Sequence, residues 1–202
     1  MRIQSFKSVS VAAAAAFAFV AAAGTALADP EGPFLNADLG ANFVTGLPSS
    51  FSIDPGIRFS LAPGYRIYSD DTFEVSLALE TGLLWNSYSY RAGFNSYSGD
   101  MYQVPVLGGF EYAFHAGRFI PYVGIAGGGV VNDREVSGSG LFGQQSGSAT
   151  SFDGAVQAMA GVRFRFNEHA DLGIGYKFLA TFPSGVDYIG NNSVSVTFVW
   201  HF

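Results

Sequence analysis

The last twelve residues, NNSVSVTFVWHF, place Val194, Val196, Phe198, Trp200 and Phe202 on one side of a two-residue period. Ser193, Ser195, Thr197, Val199 and His201 fall on the other side, with Val199 the single exception to an apolar/polar alternation. A period of two is that of an extended strand with one buried and one wet face. A strand that ends on Phe, Trp and Phe along one face needs an apolar medium against that face. The question for the rest of the chain is what that medium is.

The front of the chain narrows the choice. Residues 1–28 carry Arg2 and Lys7, then an apolar run from Val11 to Ala23, then Ala26-Leu27-Ala28 before Asp29. A basic start, a short apolar core and an A-x-A site predict a secretory signal peptide cleaved after Ala28, with Ala26 and Ala28 as the small residues the protease reads. The run is too short for a spanning helix, which needs roughly 18 or more apolar residues. The expected organisation is therefore a signal peptide over 1–28 and one domain over 29–202. The signal takes two of the ten basic residues and none of the sixteen acidic ones, leaving eight against sixteen and a net charge of −8. An acidic chain without a basic run is a poor partner for nucleic acid. There is no Cys, which excludes a disulfide framework and thiolate chemistry.

The terminal pattern recurs through the domain, giving eight alternating segments. Leu35, Ala37, Leu39, Ala41 and Phe43 oppose Asn36, Asp38, Gly40 and Asn42; Ile57, Phe59 and Leu61 oppose Arg58 and Ser60. Phe73, Val75, Leu77, Leu79, Leu83 and Trp85 oppose Glu74, Ser76, Glu80 and Asn86. The fourth segment sets Tyr102, Val104, Val106, Phe110 and Tyr112 against Gln103 and Glu111. The fifth is filled with glycine, and Val123, Ile125 and Val131 are assigned outward. The sixth sets Val156, Ala158, Ala160, Val162, Phe164 and Phe166 against Gln157, Arg163 and Arg165, and the seventh Leu172, Ile174, Tyr176 and Phe178 against Asp171 and Lys177. Each is long enough for the ~9–11 tilted residues that cross a bilayer as a strand. A soluble sandwich would share the alternation, but would leave the C-terminal aromatic stripe unexplained.

Connections alternate in character. HAGR (115–118) and NEHA (167–170) are short; PGYRIYSDDT (63–72) belongs to the same end but is longer, which leaves room for the second or third strand to extend into it. TGLPSS (45–50), 87–100, 132–150 and 181–191 form the other end and are expected to be loops, with 137–150 of low complexity and Leu141-Phe142 a candidate contact patch. Aromatic residues gather at the segment ends. Phe34, Phe73, Tyr112, Phe114, Phe119, Phe164, Phe166, Trp200 and Phe202 are expected at one membrane interface, and Phe43, Trp85, Tyr102, Phe152 and Phe178 at the other. The medium is then lipid. The expected fold is all-β: an eight-stranded antiparallel up-and-down transmembrane β-barrel in the bacterial outer membrane, with a bulge or irregularity at Pro105.

The segments QVPVLGGFEYAF, FIPYVGIAGGGVV, AMAGVRFRFNEHADLGIGYKF and SVSVTFVWHF resemble the small outer-membrane barrels of the OmpA/OmpX and opacity-protein type. The resemblance implies a barrel only, without the peptidoglycan-binding domain that longer relatives add. It also implies that Val194, Val196, Phe198, Trp200 and Phe202 form the signal read by the barrel-assembly machinery.

Inward charges are expected at two depths: Asp38, Arg58, Glu80 and Lys177 midway, and Glu111, Arg163, Arg165 and Asp171 nearer the periplasm. An eight-stranded barrel is just wide enough for side chains to fill it, so these charges form a packed ion-pair network or line a narrow gated path. His115, His169 and His201 fall in or beside periplasmic turns and read as solvated rim residues, not metal ligands. GIAGGG (124–129) lacks phosphate-loop spacing, and no G-x-S-x-G elbow is present. No cofactor is expected. Three functions share the fold: a non-enzymatic scaffold or surface-interaction protein in contact with outer-membrane lipid and an unknown surface ligand; a small diffusion channel; and a lipid-modifying enzyme.

Deleting Phe202 tests the assembly reading. Its outward ring at the interface contributes only ~1–3 kcal/mol through burial, whereas an assembly signal acts before the barrel exists. The deletion is expected to lower membrane-inserted yield in cells far more than refolded yield in detergent. Equal loss in both settings would leave Phe202 with a stabilising role alone.

Overall fold

The computed structural model describes residues 32–47, 51–92, 95–140, 143–185 and 188–202. The cleavage residues Ala26 and Ala28 and the Leu141-Phe142 patch lie outside the described residues. Nine strands follow in order: β1 (Pro33–Thr45), β2 (Phe51–Ile53), β3 (Gly56–Ser69), β4 (Phe73–Ala92), β5 (Asn95–Phe114), β6 (Phe119–Gly140), β7 (Gly143–Asn167), β8 (Ala170–Phe182) and β9 (Ile189–His201). All pairings are antiparallel, in the order β4-β3-β1-β9-β8-β7-β6-β5, and β5 pairs back onto β4 to close the ring. Eight strands therefore form the barrel, and β2 is a three-residue strip on the edge of β4 (Phe51 opposite Tyr90, Ile53 opposite Tyr88). Closure between the first and last strands runs from Phe34 opposite His201 to Thr45 opposite Gly190.

The alternation sorts into two faces. Val194, Val196, Phe198 and Trp200 are exposed on the outer wall, as are Leu39, Phe59, Leu79, Ile125 and Ile174. Val123 and Ile125 point outward, and Val131 shares their parity while Val130 is buried inside. Exposed apolar side chains on this scale are stable only against lipid.

At the short-turn end, aromatic side chains form ladders. Tyr68, Phe73 and Tyr112 stack in sequence with centroids 5.0 and 5.1 Å apart, and Phe114 meets Tyr112 edge-on at 4.7 Å. Phe119, Phe164 and Phe166 continue the belt at 5.4 and 5.1 Å. Trp85 stacks on Tyr102 towards the opposite end. Phe34 does not join its expected girdle. It lies on the inner parity of β1, is buried, and approaches the His201 ring at 6.4 Å.

The short turns are 70–72, 115–118 and 168–169, and β3 runs on through residues 63–69, the strand extension that the length of the 63–72 connection suggests. Asp70 builds its turn by accepting the N–H groups of Thr72 and Phe73 at 2.7 and 2.8 Å, and these bonds hold its carboxyl below the usual range. Gly117 adopts φ 67° in the 115–118 turn, a conformation that a side chain disfavours.

Pro105 does not produce a bulge. The β4–β5 register is unchanged on either side of it, but the pairing lapses opposite Gly82 and Leu83. The register shifts occur at Arg66/Tyr68 in β3 and Arg165/Asn167 in β7. Both insert one outward residue, Ile67 or Phe166, immediately after an arginine that points inward.

The largest departure from expectation is at the other end. Residues 87–100 and 132–150, expected to be loops, are almost wholly strand. β4 and β5 have 20 residues each, β6 has 22 and β7 has 25, against 13 or 14 in β1, β3, β8 and β9. The physical reason is that both faces are wet beyond the bilayer. Hydrophobic alternation disappears there, while backbone pairing continues through Ser, Gly and Tyr.

Candidate functional site

The lumen contains two charge clusters with polar and apolar layers between and above them. The central cluster is drawn from six strands. Arg58 on β3 donates to Glu80 on β4 and to Gln157 on β7 at 2.5 and 2.6 Å. Lys177 on β8 donates to Asp38 on β1 at 2.7 Å and to Glu80 at 2.9 Å. Thr197 on β9 and Ser60 on β3 donate to the two Asp38 carboxylate oxygens, and Gln157 donates back to Glu80. Two cations face two anions, all buried. The four residues placed midway from sequence thus form a single bonded unit.

The periplasmic cluster centres on Glu74. Its carboxylate lies 3.1 Å from Arg66, 3.0 Å from Arg163, 3.2 Å from His115 and 3.8 Å from Arg165. Arg163 also bonds Glu111 at 2.6 Å and sits 4.8 Å above the Tyr122 ring. That ring lies across Gly161 and Gly175, where an added Cβ would meet it at 2.6 and 2.4 Å. Arg165 donates to Asp171 at 3.0 Å, and His201 stands 2.9 Å from Asp171 and 2.8 Å from Arg66. Three guanidinium groups (Arg66, Arg163, Arg165) balance three carboxylates (Glu74, Glu111, Asp171).

Sequence reasoning found Glu111, Arg163, Arg165 and Asp171 but missed Arg66, which it placed in a connection, and the pivotal role of Glu74. It also read His201 as a rim residue. His201 is buried in the lumen instead, because its parity on β9 is that of Thr197 and Ser195. His169 is an exposed rim residue, stacked on Trp200 at 5.8 Å.

The lumen is not uniformly polar. Leu84, Leu107, Val130, Ala155 and Leu179, from five successive strands, form an apolar cluster beyond the central charges. Above it Asn42 donates to Asn86 and Asn191 at 2.7 and 3.0 Å, and Gln103 donates to Asn132, which donates to the Asp153 carboxylate, at 2.6 Å per link. Asn42, Arg58, Leu84, Leu107, Val130, Leu179 and Ser193 are each 0% exposed. A cavity of about 30 Å³ lies between the two charge clusters, and a vestibule of about 470 Å³ opens at the periplasmic mouth.

The remaining feature is the sheet that β4–β7 carry beyond the barrel. β5 pairs with β6 out to Ser96–Ser139, and β6 with β7 out to Gly140–Gly143. Its outward face shows Asp100, Asp133 and Glu135, with Trp85 Nε1 and Ser87 Oγ donating to Asp100 at 3.2 and 2.8 Å.

Set against known proteins, residues 10–202 match the family model described as outer membrane protein beta-barrel domain. No curated protein sequence matches the chain. Among solved structures, Neisserial surface protein A is similar with a TM-score of 0.56 at 18% identity, over 84% of this chain and 97% of that one. The outer membrane protease OmpT from Escherichia coli gives 0.55 at 7% identity, over 84% and 93%. OprG from Pseudomonas aeruginosa gives 0.52 at 14%, over 84% and 95%. At such identities the likeness is one of fold.

Removing the Glu74 charge tests the periplasmic cluster. Glu74→Gln leaves Arg66 and Arg165 with less countercharge in a buried site, and breaking a buried ion pair typically costs about 3–5 kcal/mol. Urea unfolding in micelles should show a loss of that order, whereas exposed Glu168→Gln should change stability by less than about 0.5 kcal/mol.

Proposed function

The chain belongs to the outer membrane protein β-barrel domain family, and on that premise we propose that it is a non-catalytic barrel whose task is to hold an interaction sheet out from the cell surface. The observation that carries this reading is the unequal strand length. Strands of 13 residues already exceed the ~9–11 that cross a bilayer. The additional 7–12 residues in each of β4–β7 therefore extend the sheet by roughly 25–40 Å beyond the short strands at ~3.3 Å per residue. Short turns mark the periplasmic end of such barrels, so the extension is extracellular.

The lumen supports a scaffold rather than a conduit. Each of the eight strands contributes at least one nearly inaccessible side chain around the level of Leu84 and Arg58. The histidines favour no outer-leaflet chemistry: His115 and His201 are tied to Glu74 and Asp171 at the periplasmic end, and His169 lies beside them. Although OmpT is a protease, sharing its fold transfers no catalytic residue. During biogenesis the outward row Val194, Val196, Phe198, Trp200 and Phe202 serves as the strand recognised by the assembly machinery.

The experiment replaces residues 89–98 and 134–149 each with an Asn-Gly turn, which closes a two-residue hairpin. The trimmed barrel is expected to insert and to keep heat-modifiable migration. On an array of immobilised proteins, cells carrying the full barrel should bind a subset that cells carrying the trimmed barrel do not. Planar bilayers containing the full protein should be electrically silent. Undiminished adherence would remove the platform reading, and steady conductance altered by Arg58→Ala would favour a channel.

A further inference from the structure

The protruding sheet has two lateral edges, and they are treated differently. The β4 edge is covered at Tyr88–Tyr90 by β2. The β7 edge has no equivalent. Pairing between β7 and β8 ends at Gly154 opposite Phe182, whereas β7 continues back to Gly143 and pairs there only with β6. Residues 143–153 of β7 therefore present one side of their backbone to no strand among the described residues, over about 36 Å at ~3.3 Å per residue. Seven consecutive residues, 146–152, are exposed on both faces.

Free edges in native sheets are commonly blunted by Lys, Pro or a bulge. Here the sequence GQQSGSATSF (143–152) holds no charge and no proline, the one charge of the edge, Asp153, is buried against Asn132 and Ser151, and the register with β6 is unbroken. The edge is therefore chemically open to strand addition, in which main-chain hydrogen bonds supply affinity and side chains on alternate positions supply specificity.

The specificity is set by the neighbouring strand. On the outward face, Asp133 lies opposite Thr150 and Glu135 opposite Ser148, while Asp100 is the cross-strand neighbour of Glu135. None of these three carboxylates has an ion-pair partner among the described residues, and Arg134 belongs to the opposite parity, between Met101 and Ala149. Ser148 and Thr150 are short. A long cationic side chain on a strand added beside β7 reaches over them to Glu135 and Asp133. Resting on the reading of this sheet as an interaction platform, we propose that the β7 edge is a binding site for an extended basic peptide segment, with Lys or Arg at alternate positions facing the carboxylates. A second copy of the chain suits the edge poorly, because side-by-side copies would bring the same acidic face together, and like charges across a strand pair are unfavourable.

The test uses the full protein in nanodiscs and an acetylated, amidated eleven-residue peptide of alternating Lys and Thr, titrated by fluorescence anisotropy. The Lys-Thr peptide is expected to bind. A Glu-Thr peptide of equal length and the Asp133→Asn/Glu135→Gln variant should each weaken binding by about tenfold or more, as expected for lost charge pairing. Two further peptides carry backbone N-methyl groups on the Lys or on the Thr residues alone. In a strand, alternate residues direct their N–H groups to opposite edges, so one methylated peptide should fail to bind and the other should match the parent. Equal binding by both methylated forms would reduce the interaction to surface charge and overturn the proposal, as would no binding or crosslinks running from β7 to β7 between copies. If trimming the sheet abolishes adherence but these peptides do not bind, the platform reading stands and the edge proposal falls.

Discussion

An eight-stranded barrel encloses a space about as wide as its own side chains, and here that space is filled with charge. Everything else in the structure depends on how those charges are compensated. Isolated ions in such an interior would be prohibitively costly, and a half-satisfied network is worse than an apolar one. The chain meets the constraint by balancing the two charged levels separately, and by holding the buried Asp153 carboxylate with Asn132 and Ser151. Asp38 and Glu80 face Arg58 and Lys177, and Glu74, Glu111 and Asp171 face Arg66, Arg163 and Arg165. Hydroxyl and amide side chains take up remaining lone pairs, as Thr197 and Ser60 do on Asp38.

This filling links sequence to architecture. In the central cluster the ion-pair partners lie 22 to 139 residues apart in the chain, from Arg58–Glu80 to Asp38–Lys177, so they meet only when the ring closes in its correct register. A one-residue slip of any strand would send its charges into lipid and its apolar row into the lumen. Ion pairs inside and apolar residues outside therefore specify the same register. The two β-bulges serve the same end, since each sits just beyond an arginine of the periplasmic cluster. The sheet that β4–β7 carry past the short strands lies outside this constraint.

Much of this was legible in the residues because the bilayer imposes a strict two-residue period. The outer wall, the closing strand and the eight inward charges all follow from parity. The apolar layer in the lumen was missed, yet it leaves a trace: Leu83-Leu84, Val106-Leu107, Val130-Val131 and Phe178-Leu179 are apolar doublets that interrupt the alternation, with one member facing lipid and the other facing inward. His201 was misread because a terminal histidine looks like a rim residue until its partners Asp171 and Arg66 are in place. The strand extensions were hidden for a different reason. Outside the membrane neither face is selected for hydrophobicity, so Ser- and Gly-rich strand and Ser- and Gly-rich loop share a composition.

The central claim is that the lumen charges act as one compensated unit. A double-mutant cycle on Arg58→Met and Glu80→Gln, read by equilibrium unfolding in micelles, tests it most directly. Each single change leaves an opposite charge buried with reduced compensation, while the double change restores neutrality with Lys177 still paired to Asp38. The double variant should therefore be destabilised by clearly less than the two single variants together, with a coupling energy of about 1–3 kcal/mol. Additive losses, with coupling below about 0.5 kcal/mol, would show that Arg58 and Glu80 are independently solvated and would contradict a closed, mutually neutralised interior.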